Sequence, residues 1–270
     1  MTRALWTRRA WMGCALGAAA SAETKEERGK RVVREALDAL GGEKFLAMRD
    51  RVESGRVYSF FREELSGLAV ARIYTQYVRR PKEAPAGWIG VRERMSFGKK
   101  EEETARLFTG DAAYRISFRG AQPVSDDVLD RYRETYLHDI FYILRQRLDE
   151  PGLLMESEGS DVWQNQPVEI VTITDADNRT VTVYFHRSLK VPLRQVFYRR
   201  DRKTRARIEE VAEFAKYRAA GGIQWPYMIR RERDGEKIFE SFAETVEINQ
   251  GLADGLFVLP PNIKMLKKAE

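Results

Sequence analysis

From residue 168 to residue 248 the chain repeats one pattern: a run rich in Val, Ile, Tyr and Phe with a period of two, then a turn, at about ten-residue spacing. The runs are 168–174, 180–186, 193–199, 205–217, 228–233 and 237–248. Between them stand Asp175-Ala176-Asp177-Asn178, Lys190-Val191-Pro192, Gly221-Gly222 and Asp234-Gly235, which are turn formers. Strands joined this tightly pair antiparallel, because a parallel neighbour needs a long crossover. The same period opens the chain's first half at 52–61 and 68–78, with further strands expected at 92–98, 103–109 and 112–118.

Two segments break the period. Over 23–48, Val32, Val33, Ala36, Leu37 and Leu40 recur at helical spacing until Gly41-Gly42 stops them. From Asp126 to Leu148, Leu129, Tyr132, Tyr136, Ile140, Ile143 and Leu144 form a second apolar stripe, capped by Ser125 or Asp126 and ended by Pro151-Gly152. A twisted sheet of about ten or eleven strands curls, and these two helices are what the chain offers to cover it. The expected fold is therefore α+β: an antiparallel half-open β-barrel with helices across its mouth.

The N-terminus reads as an export signal. Arg3, Arg8 and Arg9 precede a short apolar run over 10–20, which ends in the small-x-small sequence Ala20-Ser21-Ala22. The run is far below the ~20 residues of a membrane-spanning helix. Thr7-Arg8-Arg9-Ala10-Trp11-Met12 also resembles a twin-arginine signal, so the general secretory and twin-arginine routes both stay open. Residues 1–22 are thus expected to be removed, leaving a single domain over 23–263 and a basic tail over 264–270, outside the cytoplasm. Cys14, the one cysteine, lies in the leader, with too little apolar length before it for a lipidation site. The segment after the leader therefore has no thiol chemistry, disulfide or cysteine-based metal site.

The leader's three arginines supply half of the net charge of +6, and the remaining charges are mixed in sign. That pattern lacks the one-sided basic footprint of a nucleic-acid binder. His138 and His186 are the only histidines and sit in no metal-binding spacing, and no nucleophile elbow, phosphate loop or dinucleotide fingerprint occurs. Asp126 and Asp127 fit a helix cap, and Asp175 and Asp177 a turn. These residues point to no enzyme, no metal and no cofactor.

Several short motifs resemble the LolA-like group of periplasmic lipoprotein-carrier and lipoprotein-sorting domains. They are Ala39-Leu40-Gly41-Gly42-Glu43-Lys44-Phe45, the hairpin from Tyr217 through Gly221-Gly222-Ile223 to Pro226, and Val246-Glu247-Ile248-Asn249 followed by Leu256-Phe257-Val258-Leu259-Pro260. His186-Arg187-Ser188-Leu189-Lys190-Val191-Pro192 stands where the family has an Asp-x-x-Thr-x-x-Pro turn, with His186 and Ser188 in place of the usual Asp and Thr. The resemblance implies an incomplete β-barrel whose helical lid covers an apolar cavity, in a family whose best understood members carry lipid-modified proteins.

Aromatic and aliphatic residues on both faces of several strands fit such a cavity. The expected lining is Tyr58, Phe60, Ile73, Tyr77, Val183 and Phe185 from the strands. Tyr136, Ile140, Phe141 and Leu144 of the second helix are expected to form the lid. The expected ligand is a lipid, an acyl chain or a lipidated protein, taken up at a membrane surface, with no nucleic acid. The alternative is an envelope interaction or sensor module whose barrel is filled by its own side chains.

Overall fold

The computed structural model describes residues 23–79, 88–98, 104–202 and 204–269. The leader and its export motifs lie outside the described residues. None of the described helices is long and apolar enough to cross a membrane.

The first helix, α1 (Lys25–Leu40), begins at a capping box in which Thr24 accepts from the Glu27 N–H and the Glu27 carboxylate accepts from the Thr24 N–H. Gly41, at φ 127°, ends it, and α2 (Glu43–Leu46) adds one turn. The strands follow as β1 (Asp50–Phe61), β2 (Glu64–Tyr77), β3 (Val91–Phe97), β4 (Thr104–Phe108), β5 (Ala113–Ser117) and β6 (Gly120–Pro123). A helical insert comes next: α3 (Asp126–Leu137), then α4 (Ile140–Tyr142) running into a π-turn over Ile143–Arg147. The chain then completes β7 (Leu154–Trp163), β8 (Gln166–Thr174), β9 (Thr180–His186), β10 (Pro192–Arg200), β11 (Arg207–Ala220), β12 (Ile223–Arg233) and β13 (Glu236–Ile248).

All 13 strands form one antiparallel sheet in the order β6-β5-β4-β3-β2-β1-β13-β12-β11-β10-β9-β8-β7. Every neighbour is a hairpin partner except β1 and β13, which bring the two halves of the chain together. The sheet's outermost strands are β6 and β7, and the chain passes from one to the other through the helical insert. The sheet is therefore an unclosed barrel whose open seam is bridged by helix, as the sequence pattern led one to expect. Two strands were missing from that pattern, β6 and β7, both at edges.

The single helix expected over 126–148 is broken. Asp139 stands in extended conformation and caps a new start, its carboxylate accepting from the Tyr142 N–H at 3.0 Å. The break turns Ile140–Arg147 inward while α3 stays at the surface. Ile140, Phe141, Ile143 and Leu144 are buried with Val183, Phe185, Phe214 and Trp225 in the main core. α1 lies on β7 and β8 and also reaches β12, four places away in the sheet, which a flat sheet would not permit.

Gly29 lets α1 come close to β7: a Cβ there would meet the Met155 carbonyl oxygen at 2.3 Å. Gly29→Ala therefore sets about 1 kcal/mol of helix propensity against an overpacking cost of ~1–3 kcal/mol. Net destabilisation of about 1 kcal/mol is expected in guanidinium unfolding; a more stable variant would show that α1 can slide away without cost.

The opposite face of β1–β6 is covered by the C-terminal segment. Phe257 packs on Val52 and Tyr74, and Leu259 and Ile263 pack on Ala105, Leu107 and Ile116. Residues 264–269, the expected tail, pair along β6: Met265 bridges Ala121, and the Ala269 N–H donates to the Pro123 carbonyl. This covering explains why the strands are apolar on both faces.

Candidate functional site

Strand alternation divides the sheet's residues between two faces. The face under the helices carries Arg51, Glu53, Gly55 and Val57 of β1; register places Glu53 opposite Ile73 of β2 and Ile73 opposite Met95 of β3. Under α1 and Ile140–Arg147 this face is solid core. Over β1–β4, β12 and β13 it differs: Ile73, Met95, Phe97 and Phe239 are only half-buried and belong to none of the packed clusters. Ile73, Met95 and Phe97 are register neighbours on β2 and β3 and form an apolar floor beside the core, and Phe239 on β13 lies on the same face.

A polar wall separates the two regions. Arg51 is buried, with its guanidinium 4.0 Å from the centroid of the Trp225 ring. It donates to Glu53 at 2.6 Å, to the Tyr77 hydroxyl at 2.6 Å and to Thr75 at 3.3 Å. Burial opposes its charge, but Tyr77 and Glu53 more than compensate and hold the guanidinium protonated. Nearby, Tyr136 donates to Glu93 at 2.6 Å. Burial pushes the Glu93 carboxyl up against the pull of Tyr136, Arg231 and Arg51. Tyr132, from the same helix, stacks on Phe108 and leans on Tyr136.

Helix α3 lies over this region through Tyr132 and Tyr136, and of its residues only Leu137 is buried. It is held at its flanks by Arg133 donating to the Asp111 carbonyl, by Lys268 with Asp126, and by Arg202 of the β10–β11 hairpin with Asp130. Between α3 and the β9–β10 region runs a groove of about 930 Å³, lined by Arg131, Arg133, Arg179 and Arg199 together with Asp130 and Glu134. This groove is charged, whereas the cavity expected from the sequence is apolar; the apolar surface is the neighbouring floor.

The ten residues expected to line the site separate into three places. Ile73, Tyr77 and Tyr136 lie together at the floor and its polar wall. Ile140, Phe141, Leu144, Val183 and Phe185 are at most 4% exposed in the closed core, so of the four residues expected to form a lid only Tyr136 stands outside the main core. Tyr58 and Phe60 lie on the other face, where Tyr58 meets the edge of Phe242 and Lys237 sits 4.0 Å from the Phe60 ring. Sequence reasoning passed over Arg51, Glu53, Glu93, Arg106 and Arg231, whose charge suggests a solvated face although register turns them inward.

Neither histidine stands in a metal-binding set, and among the described residues no group of three or more His, Cys, Asp and Glu could hold a metal ion. His186 performs a turn role: its Nδ1 accepts from the Ser188 and Leu189 N–H groups.

No protein-family model and no curated protein matches the sequence. Solved structures do. An outer membrane lipoprotein-sorting protein domain from Vibrio parahaemolyticus aligns over 86% of this chain and 97% of its own, at 14% identity and TM-score 0.54. A DUF1329 family protein from Desulfovibrio piger aligns over 85% and 97%, at 12% identity and TM-score 0.56. A LolA superfamily protein from Nitrosomonas europaea aligns over 83% and 97%, at 12% identity and TM-score 0.51. The chain has the LolA-like fold.

Proposed function

We propose that the protein is an extracytoplasmic, non-enzymatic carrier that holds a lipid or acyl chain, free or on a lipidated protein, on the floor formed by Ile73, Met95 and Phe97, with Phe239 on the same face. The observation that carries this reading is the half-burial of those four side chains beneath the helices, beside a core that is otherwise closed. A soluble protein gains by covering such a surface. The LolA-like fold and the leader over 1–22 support the same reading. The barrel's solid half limits the ligand to the seam between β1–β4 and α3.

The direct test is native mass spectrometry of the protein purified from its own envelope, with lipid analysis of what dissociates. A bound apolar species is expected. A bare chain that also takes up no fluorescent fatty acid would favour the interaction module, for which the exposed Phe61, Leu65 and Leu68 of the β1–β2 hairpin offer a surface.

The floor can be tested by filling it. Ile73→Trp is expected to cost ~1–3 kcal/mol of binding, roughly a five- to hundredfold loss of affinity for a fluorescent acyl probe. Leu68→Trp, on the opposite face and 60% exposed, is expected to change nothing. Equal effects of the two would move the ligand elsewhere.

A further inference from the structure

The β1–β2 hairpin carries apolar side chains into water. Tyr58 pairs with Leu68 and Phe60 with Leu65, which puts all four on the outer face of the sheet, away from the helices, and alternation adds Val70. Leu65, Leu68 and Val70 are 57%, 60% and 50% exposed. Phe242 of β13 joins them through its edge contact with Tyr58. Phe61, at the tip, lies on the other face and is 67% exposed, so the end of the hairpin is apolar on both faces. The C-terminal segment covers the outer face at Val52 and Tyr74, nearer the other end of these strands. Single exposed apolar residues are ordinary, but a contiguous group marks an interaction surface.

Register adds a second tip at the same end of the sheet. The pairs Ala71–Phe97, Phe97–Thr104, Thr104–Ser117 and Ser117–Gly120 run as one row across β2–β6. Phe118 stands one residue beyond that row in the β5–β6 turn, level with Val70, and is 89% exposed. From the same row β2 continues to Glu64, roughly 20 Å of strand beyond its last pair with β3. Four rings of this surface each have a cation beside them. Arg62 lies 5.3 Å from the centroid of Phe61, Arg119 5.5 Å from Phe118, Lys237 4.0 Å from Phe60 and Lys216 5.1 Å from Phe242. None of the four makes an ion pair among the described residues. Of the acids on β13, Glu240 and Glu244 are held by Arg230 and Arg56, while Glu63, Glu64 and Glu236 lie at the turns.

A projecting tip that is apolar on both faces does not fit a partner stacked on one side of the sheet. It fits a layer that surrounds it, and rings and leucines flanked by long cationic stems are the arrangement of a membrane interface. The unpaired cations select a negative surface. We propose that this end of the barrel docks on an anionic phospholipid membrane, with Phe61, Leu65 and Leu68 entering the headgroup layer and Arg119, Lys216 and Lys237 meeting the phosphates. The inference goes beyond the carrier reading and does not depend on it, because it uses the outer face and not the floor.

The test floats the protein, purified from its own envelope, with vesicles of equal parts phosphatidylethanolamine and phosphatidylglycerol. Binding is expected, and Leu65→Glu and Leu68→Glu should each weaken it about tenfold or more, since burying a leucine side chain carries that much. Leu189→Glu, 63% exposed in the β9–β10 turn at the opposite end of the sheet, is expected to bind as the unsubstituted protein does. All three positions are exposed, so unchanged unfolding curves are expected and show that the variants are folded. Replacing phosphatidylglycerol by phosphatidylcholine should weaken binding roughly fivefold or more, because the cations lose their partner. No binding to the first vesicles, an equal loss in Leu189→Glu, or equal binding with and without phosphatidylglycerol overturns the inference. So does a dimer in light scattering that Leu68→Glu dissolves while vesicle binding is absent; the face then belongs to a second copy. Uptake of a fluorescent fatty acid from solution is unaffected by any of these outcomes and tests the carrier reading separately.

Discussion

Arg147→Met is expected to destabilise the protein by about 3 kcal/mol, more than any single change to the apolar floor. Arg147 is 4% exposed at the end of the π-turn, where one guanidinium joins three parts of the chain. It donates to the Leu137 carbonyl at the end of α3 at 2.5 Å, to Glu150 at 2.6 Å and to Asp175 in the β8–β9 turn at 2.7 Å. Burial alone would push the Asp175 carboxyl up; Arg147, Arg179 and the Arg179 N–H outweigh it and hold it below the ordinary aspartate range. Removing Arg147 leaves Asp175 buried with one cation instead of two, since Arg179 still donates at 3.0 Å. That retained contact sets the expectation at the lower end of the ~3–5 kcal/mol typical of a broken buried pair. The double variant Arg147→Met/Asp175→Asn should recover part of the loss, because the stranded charge is then gone. Guanidinium unfolding of the single and double variants measures both quantities. Additive losses in the cycle would mean that the two side chains stabilise the fold independently.

The same junction shows where sequence reading ran out. The meander was legible because its inner strands alternate over a half-buried surface and its turns use Gly, Asn and Asp. Strand β7 was not, because Ser157-Glu158-Gly159-Ser160-Asp161 belongs to an edge, where one flank faces water and the apolar pattern fades. The β1–β2 turn sits at Arg62 and Glu63, both with positive φ, and neither residue type advertises that conformation. The helix break at Asp139 did carry a signal, an N-cap residue before Ile140-Phe141-Tyr142, but the apolar stripe continuing through it concealed the break. The site was half legible. Alternation tells which residues of β1 share a face, yet only pairing with β2 and the C-terminal segment decides that Tyr58 faces away and Arg51 faces in. The inward arginines were missed for the same reason: a charged residue on a strand suggests solvent until register places it under a helix.

His138 provides the second large effect, and it is expected to appear as pH dependence. The ring is 3% exposed, stacked on Phe197 at 4.3 Å, and its Nδ1 donates to the Glu134 carbonyl at 2.7 Å. Burial lowers its pKa from 6.5 to about 4; the bond to the Glu134 carbonyl and the charge of Asp175 oppose that, and Arg179 and Arg147 reinforce it. In the unfolded chain the imidazole takes up its proton near pH 6.5, while in the folded chain it stays neutral until about pH 4. The unfolded state therefore binds more protons through this window, and stability falls as the pH falls from 6.5 to 4. Integrated over the window, the loss is about 3 kcal/mol. Above pH 6.5 and below pH 4 the group adds no slope. Buried carboxyls such as Glu93 and Asp139, whose pKa values are raised, act with the opposite sign, so the measurement has to be a difference. His138→Phe keeps a ring to stack on Phe197, and the Glu134 carbonyl retains the backbone N–H of residue 138. Unfolding free energies of the two proteins, taken from pH 7.5 to 4, should converge as the pH falls, with the unsubstituted protein losing the extra stability. Parallel curves would place the histidine in water in the folded state, and with it the end of α3 that the ring secures against the sheet.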